Sequence, residues 1–322
     1  MEHLDNLNLN YTLNNLNGNY DKSKISTIKN IFKINHPNYK IKKYLGNQDN
    51  YHIFVIVKLK TRDNNSENTT NIKQILKIID LDSLGSINSD YFIKYQEKLM
   101  RRLKNNPSTR PFINNCYKIN QTDNYVFLIL QYFDSMNLED IKENLKQLKT
   151  QHYVTIIQYL VKQILKGLDS IHKLNITHNN LSLNNIIINH QLDTNIQIKF
   201  INFNTPSRLL KKRNTPNKLS LLSKSIQDDN KECGQILLEL ITLKYEDQIN
   251  RLSSLKKTKK KNNYSKLDKI FFNLVKKQKT IKDILPSKLY HYSKIINKLM
   301  IKKKTGPGIT LSEILFYEKY NN

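Results

Sequence analysis

Between Thr177 and Asn204 the side chains placed to do chemistry are nearly all carboxamides. The segment opens His178-Asn179-Asn180-Leu181-Ser182-Leu183-Asn184-Asn185, passes through two apolar runs, Ile186 to Ile188 and Ile196 to Ile201, and ends in Asn202-Phe203-Asn204. A carboxamide offers a neutral oxygen and a neutral NH2 group, so it can orient a partner but cannot accept a proton at neutral pH. It is also a poor substitute for the carboxylates that hold Mg²⁺ beside substrate phosphates. These residues are therefore equipped for hydrogen bonding rather than for proton transfer. Far upstream, Gln74-Ile75-Leu76-Lys77 ends a β-like run on a lysine.

Taken together, these stretches resemble the eukaryotic protein kinases, with amides where that family needs carboxylates. In the family a His-Arg-Asp-Leu-x-x-x-Asn loop supplies the catalytic base and one metal ligand, and an Asp-Phe-Gly turn supplies the main Mg²⁺ ligand. The resemblance puts Asn180 at the base position, and Asn185 and Asn202 at the metal-ligand positions. Ser182 stands where serine/threonine kinases carry a phosphate-contacting lysine, and His178 falls to an internal, structural role. Losing a positioned base typically costs a factor of roughly 10² to 10⁴. What the resemblance implies is a pseudokinase with no intact catalytic residue, no metal and no cofactor, weak Mg-ATP binding being left open.

Other landmarks extend the likeness. Tyr39 to Gly46 reads as a first strand, but the phosphate-covering Gly-x-Gly-x-x-Gly loop continues from Gly46 as Asn47, Gln48, Asp49, Asn50, Tyr51, His52, so two of three glycines are gone. Side chains there oppose the close backbone approach that glycine allows. His52 to Lys60 reads as the second strand and Thr61 to Thr70 as a loop. Lys77 takes the place of the family's phosphate-pairing lysine, and Ile75 puts a branched side chain where the family has Ala against the adenine ring. Ser89 to Lys104 reads as a helix, with apolar Phe92, Tyr95, Leu99, Met100 and Leu103 near the helical period. That register sets Gln96 at the family's salt-bridging Glu, with Glu97 as the alternative register. Tyr125 to Gln131 is a continuous apolar strand running into a hinge at Gln131, Tyr132 and Phe133; Tyr153 to Ile171 holds a long 3.6-residue period. Asp229-x-x-x-Cys233-Gly234 resembles the helix that anchors the catalytic loop through its Asp. No Ala-Pro-Glu closes the activation segment, and Ile295 to Leu315 lacks the Arg that would pair with it.

The implied fold class is α+β and two-lobed, a small mostly β N-lobe with one long helix and a larger mostly α C-lobe. The divisions expected are an Asn-rich flexible extension over 1–35, with a short helix at Ile25 to Ile34 as the alternative, an N-lobe over 36–132 and a C-lobe over 133–322. A chain of 322 residues can bury a large core even at 38% hydrophobic. The two cysteines, Cys116 and Cys233, form no metal or redox spacing, which suits a reducing compartment. No apolar run reaches the roughly 20 residues of a membrane span, and the polar start resembles no signal peptide. The expectation is an intracellular protein, cytoplasmic or nuclear, in a host cell if viral. Abundant Asn, Lys, Ile and Tyr with no Ala or Trp point to an AT-biased genome, as in large DNA viruses and some protists.

The net charge of +26 lies mostly in the second half, with clusters at Arg208, Lys211, Lys212, Arg213 and Lys218 and at Lys256, Lys257, Lys259, Lys260 and Lys261. Such runs attract polyanions without specificity, and they are equally the solvated lysines of a drifting surface. Three functions stay open: a pseudokinase that binds a protein, an active kinase or its substrate; an atypical kinase recruiting metal through Asn185 with Asp193 or Asp228; and a basic scaffold for nucleic acid or an acidic protein.

Overall fold

The structure is a computed structural model that describes residues 22–48, 51–59, 72–82, 89–189, 196–204, 218–249, 285–300 and 310–320. It is mixed helix and strand, with a sheet-rich N-terminal region and a helical C-terminal region, an arrangement compatible with two kinase-like lobes. The described residues fall into two compact units that divide between Asp134 and Ser135.

The N-terminal unit is built on five antiparallel strands, β1 (Tyr39–Gln48), β2 (Tyr51–Lys58), β3 (Lys73–Asp80), β4 (Cys116–Gln121) and β5 (Tyr125–Gln131), in the order β1-β2-β3-β5-β4. β2 is rich in β-branched and aromatic residues, the types that fit a pleated surface, and it alternates: His52, Phe54 and Ile56 are buried while Tyr51, Ile53 and Val55 are half-buried. β5 does not alternate, because both its faces are covered. Helix α1 (Lys22–Asn35) packs Ile28 and Phe32 against Phe54, Ile56, Leu76, Ile78, Phe127 and Ile129 on one face of the sheet. Helix α2 (Ser89–Asn105) packs Phe92 and Ile93 against Ile79, Val126 and Leu128 on the other.

α1 corrects the expectation of a flexible extension over 1–35. Ile28 and Phe32 are fully buried, and Lys24 Nζ meets Asp80 Oδ2 at 2.5 Å, so from Lys22 onward this segment belongs to the folded unit. The alternative short helix is what forms, three residues longer at its N-terminus. Residues 1–21 lie outside those described.

In the C-terminal unit, β6 (Ser135–Asn137), β7 (Ile186–Asn189) and β8 (Ile198–Phe200) form a small antiparallel sheet. Its core is α4 (Thr150–His172), whose Tyr153, Ile157, Leu160, Val161, Ile164, Leu165, Leu168 and Ile171 are fully buried. α3 (Lys142–Gln147) precedes it; α5 (Lys218–Thr242), α6 (Ser287–Met300) and α7 (Leu311–Tyr320) follow. α5 and α6 approach closely at Gly234, where an added Cβ would lie 2.7 Å from Met300 Cγ and 3.3 Å from Leu299 Cβ. α5 begins at Lys218, three turns before Asp229, in the stretch where the resemblance puts the end of the activation segment.

Candidate functional site

The loop between α4 and β7 is held by α5 from beneath. α4 ends at His172, and three residues on Asn175 turns the chain with a left-handed φ of 53°. The chain then dives inward, burying Ile176, Thr177 and His178. Asp229 on α5 is completely buried and satisfies that desolvation by accepting from His178 N–H at 2.7 Å, Asn179 N–H at 2.8 Å and His172 Nε2 at 2.9 Å. This is the anchoring that the resemblance implies for Asp229. One turn further along α5, Glu232 accepts from Leu181 N–H at 3.0 Å. Two carboxylates on one helix thus receive three backbone donors of the loop. Burial, assisted by the nearby Asp229 and Asp228, pushes the Glu232 carboxyl up to about 7.

His178 is fully buried, its ring 4.4 Å from that of Phe203 and 5.9 Å from that of Phe200. Burial pushes its pKa down to about 4, with Asp229 and the Ile201 backbone opposing. A neutral imidazole without solvent access is a packing element that joins the loop to the 202–204 segment. Asn179 makes a second join: its Nδ2 donates to Thr177 Oγ1 at 2.8 Å and to the Asn204 carbonyl at 3.2 Å, while Asn204 N–H donates to the His178 carbonyl at 3.0 Å. Asn179 does this from a φ of 59°, a region where Asn is one of the few side chains tolerated.

The structure brings Asn180, Asn185 and Asn202 together as a closed amide cluster. Asn185 Nδ2 donates to the Asn180 carbonyl at 2.7 Å, Asn202 Nδ2 donates to Asn185 Oδ1 at 2.8 Å, and Asn180 Nδ2 lies 3.5 Å from the Asn202 carbonyl. Asn202 again has a left-handed backbone, with φ 60°. Ile201 N–H donates to the Asn185 carbonyl at 3.0 Å, which fixes the end of β8 against the loop. The three amides bring no charge to the cluster. Among the described residues no group of three or more His, Cys, Asp or Glu side chains converges in a way that could hold a metal ion.

In the N-terminal unit, Lys77 is half-buried on β3, opposite Ile53 on β2 and Leu128 on β5. Its ammonium sits 3.6 Å from the centroid of the Tyr51 ring, a cation–π contact. Ile75 is half-buried between Val55 and Leu130. Gly46, with φ 131°, lies at a register irregularity of β1 that only glycine adopts without strain. Gln96 is buried on α2 and Glu97 is exposed, so the inward position of that helix is Gln96. Gln131 ends β5 and donates its N–H to the Asn115 carbonyl at 2.8 Å. Just beyond it, Tyr132 faces Lys73, whose Nζ is 5.4 Å from the ring centroid.

Sequence reasoning missed Glu232 and Tyr51. The signal for Glu232 was its spacing three residues after Asp229, on the same helical face. For Tyr51 it was period-2 alternation, which sets Tyr51 and Ile53 on the sheet face of Lys77. The basic clusters Arg208 to Arg213 and Lys256 to Lys261, and Asp193, lie outside the described residues. No described helix is long and apolar enough to cross a membrane.

No protein-family model matches the chain. Among curated proteins it is similar to mitogen-activated protein kinase kinase 1c of Physcomitrium patens, 29% identical over 131 residues, which make up 39% of this chain and 34% of that relative. The chain thus spans about a third of the length of the relative it matches. Motif spacing, a sheet-rich first unit, a helical second unit and this alignment agree on a distant, protein-kinase-like relationship.

Proposed function

We propose that this chain is a catalytically impaired, protein-kinase-like module that acts by binding a protein partner, an active kinase or a kinase substrate. The observation that carries the proposal is the amide cluster. Proton abstraction at Asn180 needs a group that can hold a proton at neutral pH, and Asn180 has none. Mg²⁺ needs carboxylate oxygens, whereas Asn202 points a donor at Asn185 Oδ1, the one side-chain oxygen that Asn185 has to offer. The donor set does not fit the ion. Around this centre the scaffold is intact: Asp229, Glu232, His178 and Asn179 hold the loop in one conformation. A preserved frame around neutral groups is what a binding module retains.

The test is incubation of purified protein with radiolabelled ATP, Mg²⁺ or Mn²⁺ and generic substrates. The expected result is no phosphoryl transfer above background. Labelling that survives removal of contaminating kinases and disappears on Lys77→Met would overturn the proposal. The double variant Asn180→Asp with Asn202→Asp is expected to gain little, because Ile75 and the degraded glycine loop remain.

A further inference from the structure

We infer that Tyr51 is a built-in occupant of the anion site at Lys77, so that a polyanionic ligand reaches this lysine only by displacing the ring. The inference rests on the reading above in one respect, the assignment of Lys77 as an anion-pairing lysine. It does not depend on whether the protein transfers phosphate.

Counted from Gly46 in a Gly-x-Gly-x-x-Gly pattern, Gln48 holds the second glycine's position and Tyr51 the third. Gln48 and Tyr51 are directly paired across β1 and β2, and Tyr51 is paired in turn with Ile79 of β3. Lys77 pairs with Ile53, two residues along β2 from Tyr51, so by alternation Tyr51 and Lys77 are diagonal neighbours on one sheet face. A glycine at this position would leave that face open above the lysine. Tyrosine fills it with a side chain that packs against the cluster formed by Ile79, Phe92, Ile93, Val126 and Leu128. The electron-rich face of the ring meets the ammonium at 3.6 Å from the centroid, well inside the range of about 6 Å over which such contacts attract. The ring gives Lys77 electrostatically part of what a phosphate would give it, and blocks the same approach.

Tyr51 is half-buried rather than enclosed, and it is held in the sheet through its backbone. Rotation about χ1 would therefore move the ring away without breaking strand pairing. A contact of this kind is displaced by a ligand whose charge more than replaces it.

The experiment titrates ATP, and separately inorganic tripolyphosphate, into wild type, Tyr51→Phe, Tyr51→Leu, Tyr51→Ala and the double variant Tyr51→Leu with Lys77→Met, reading heat of binding and thermal shift. Tyr51→Leu keeps apolar packing on the α2 side of the sheet and removes the aromatic face, so it tests the idea even if Tyr51→Ala fails to fold. Wild type and Tyr51→Phe are expected to bind weakly and alike. Tyr51→Leu and Tyr51→Ala are expected to bind about tenfold more tightly, and Lys77→Met is expected to abolish that gain. A folded Tyr51→Leu protein that binds no better than wild type would overturn the inference, as would a gain that survives Lys77→Met or appears equally in Tyr51→Phe. Phosphoryl transfer by wild type would sink the proposed function and leave these comparisons standing.

Discussion

Asn202 uses its side-chain NH2 to satisfy Asn185 Oδ1 at 2.8 Å, so the two residues that the resemblance sets at the metal-ligand positions share a hydrogen bond. The bond explains how a loop without carboxylates stays ordered: each amide supplies what its neighbour lacks. Asn202→Asp should therefore destabilise the protein in the absence of metal. The new carboxylate meets the Asn185 oxygen, and Asn185 cannot turn its amide without giving up the Asn180 carbonyl. The expected loss is about 1–3 kcal/mol, the cost of leaving a partly buried polar group unsatisfied. Millimolar Mg²⁺ should recover part of that loss in the variant and leave wild type unchanged, as followed by melting temperature with and without the ion. An equal Mg²⁺ effect on both proteins would refute this account of the cluster.

The loop's anchor gives a sharper number. Asp229 is fully buried and accepts three hydrogen bonds, two of them from backbone N–H groups that have no alternative in the interior. Asp229→Asn keeps the shape but turns one acceptor into a donor facing a donor. The expected cost is about 3 kcal/mol or more by urea unfolding, since hydrogen bonds to a charged group contribute about 1.5–3 kcal/mol each and an orphaned buried donor adds to the loss. A cost below about 1 kcal/mol would mean that the loop does not depend on this carboxylate.

How much of this was legible in the sequence depends on the period and length of each signal. α4 and β5 were readable because each carries a long, unbroken apolar pattern, Tyr153 to Ile171 and Tyr125 to Gln131. β4 was not, because Cys116 to Gln121 lies at the sheet edge with only half-buried and exposed side chains and so has no apolar alternation. α1 was legible only as the alternative helix at Ile25 to Ile34, because its two fully buried residues, Ile28 and Phe32, stand among Lys, Asn and Ser. The positions of Asn180, Asn185 and Asn202 could be read from spacing, but their mutual bonding could not. It depends on left-handed backbone at Asn179 and Asn202, which no periodicity encodes.

α1 can be tested directly. Phe32 contacts the sheet core and packs at a tilt against Phe127 with ring centroids 5.6 Å apart, whereas Ile34 on the same helix is 78% exposed. Phe32→Ala should cost about 3–5 kcal/mol through lost burial and the cavity left behind. Ile34→Asn should stay within about 0.5 kcal/mol of wild type. Equal, small effects in thermal or urea unfolding would return residues 22–35 to the status of an appendage.

Two groups at this loop, His178 within it and Glu232 on α5 beneath it, pull stability in opposite directions as pH changes. His178 has a folded pKa of about 4 against an ordinary 6.5, so as pH falls from 6.5 towards 4 the unfolded chain takes up a proton that the folded one refuses, and stability drops. The slope from one such group approaches about 1.4 kcal/mol per pH unit. Glu232 has a folded value of about 7 against an ordinary 4.5, so between 4.5 and 7 the folded state holds the extra proton, and stability drops as pH rises. In the shared window, from 4.5 to 6.5, the contributions oppose each other. Glu232→Gln leaves the His178 slope unopposed, and stability should rise more steeply with pH than in wild type. His178→Leu should tilt the profile the other way. The readout is the slope of unfolding free energy against pH from urea titrations, so a uniform loss of stability in either variant does not obscure it. Parallel profiles for wild type and Glu232→Gln would mean that Glu232 does not hold its proton in the folded loop.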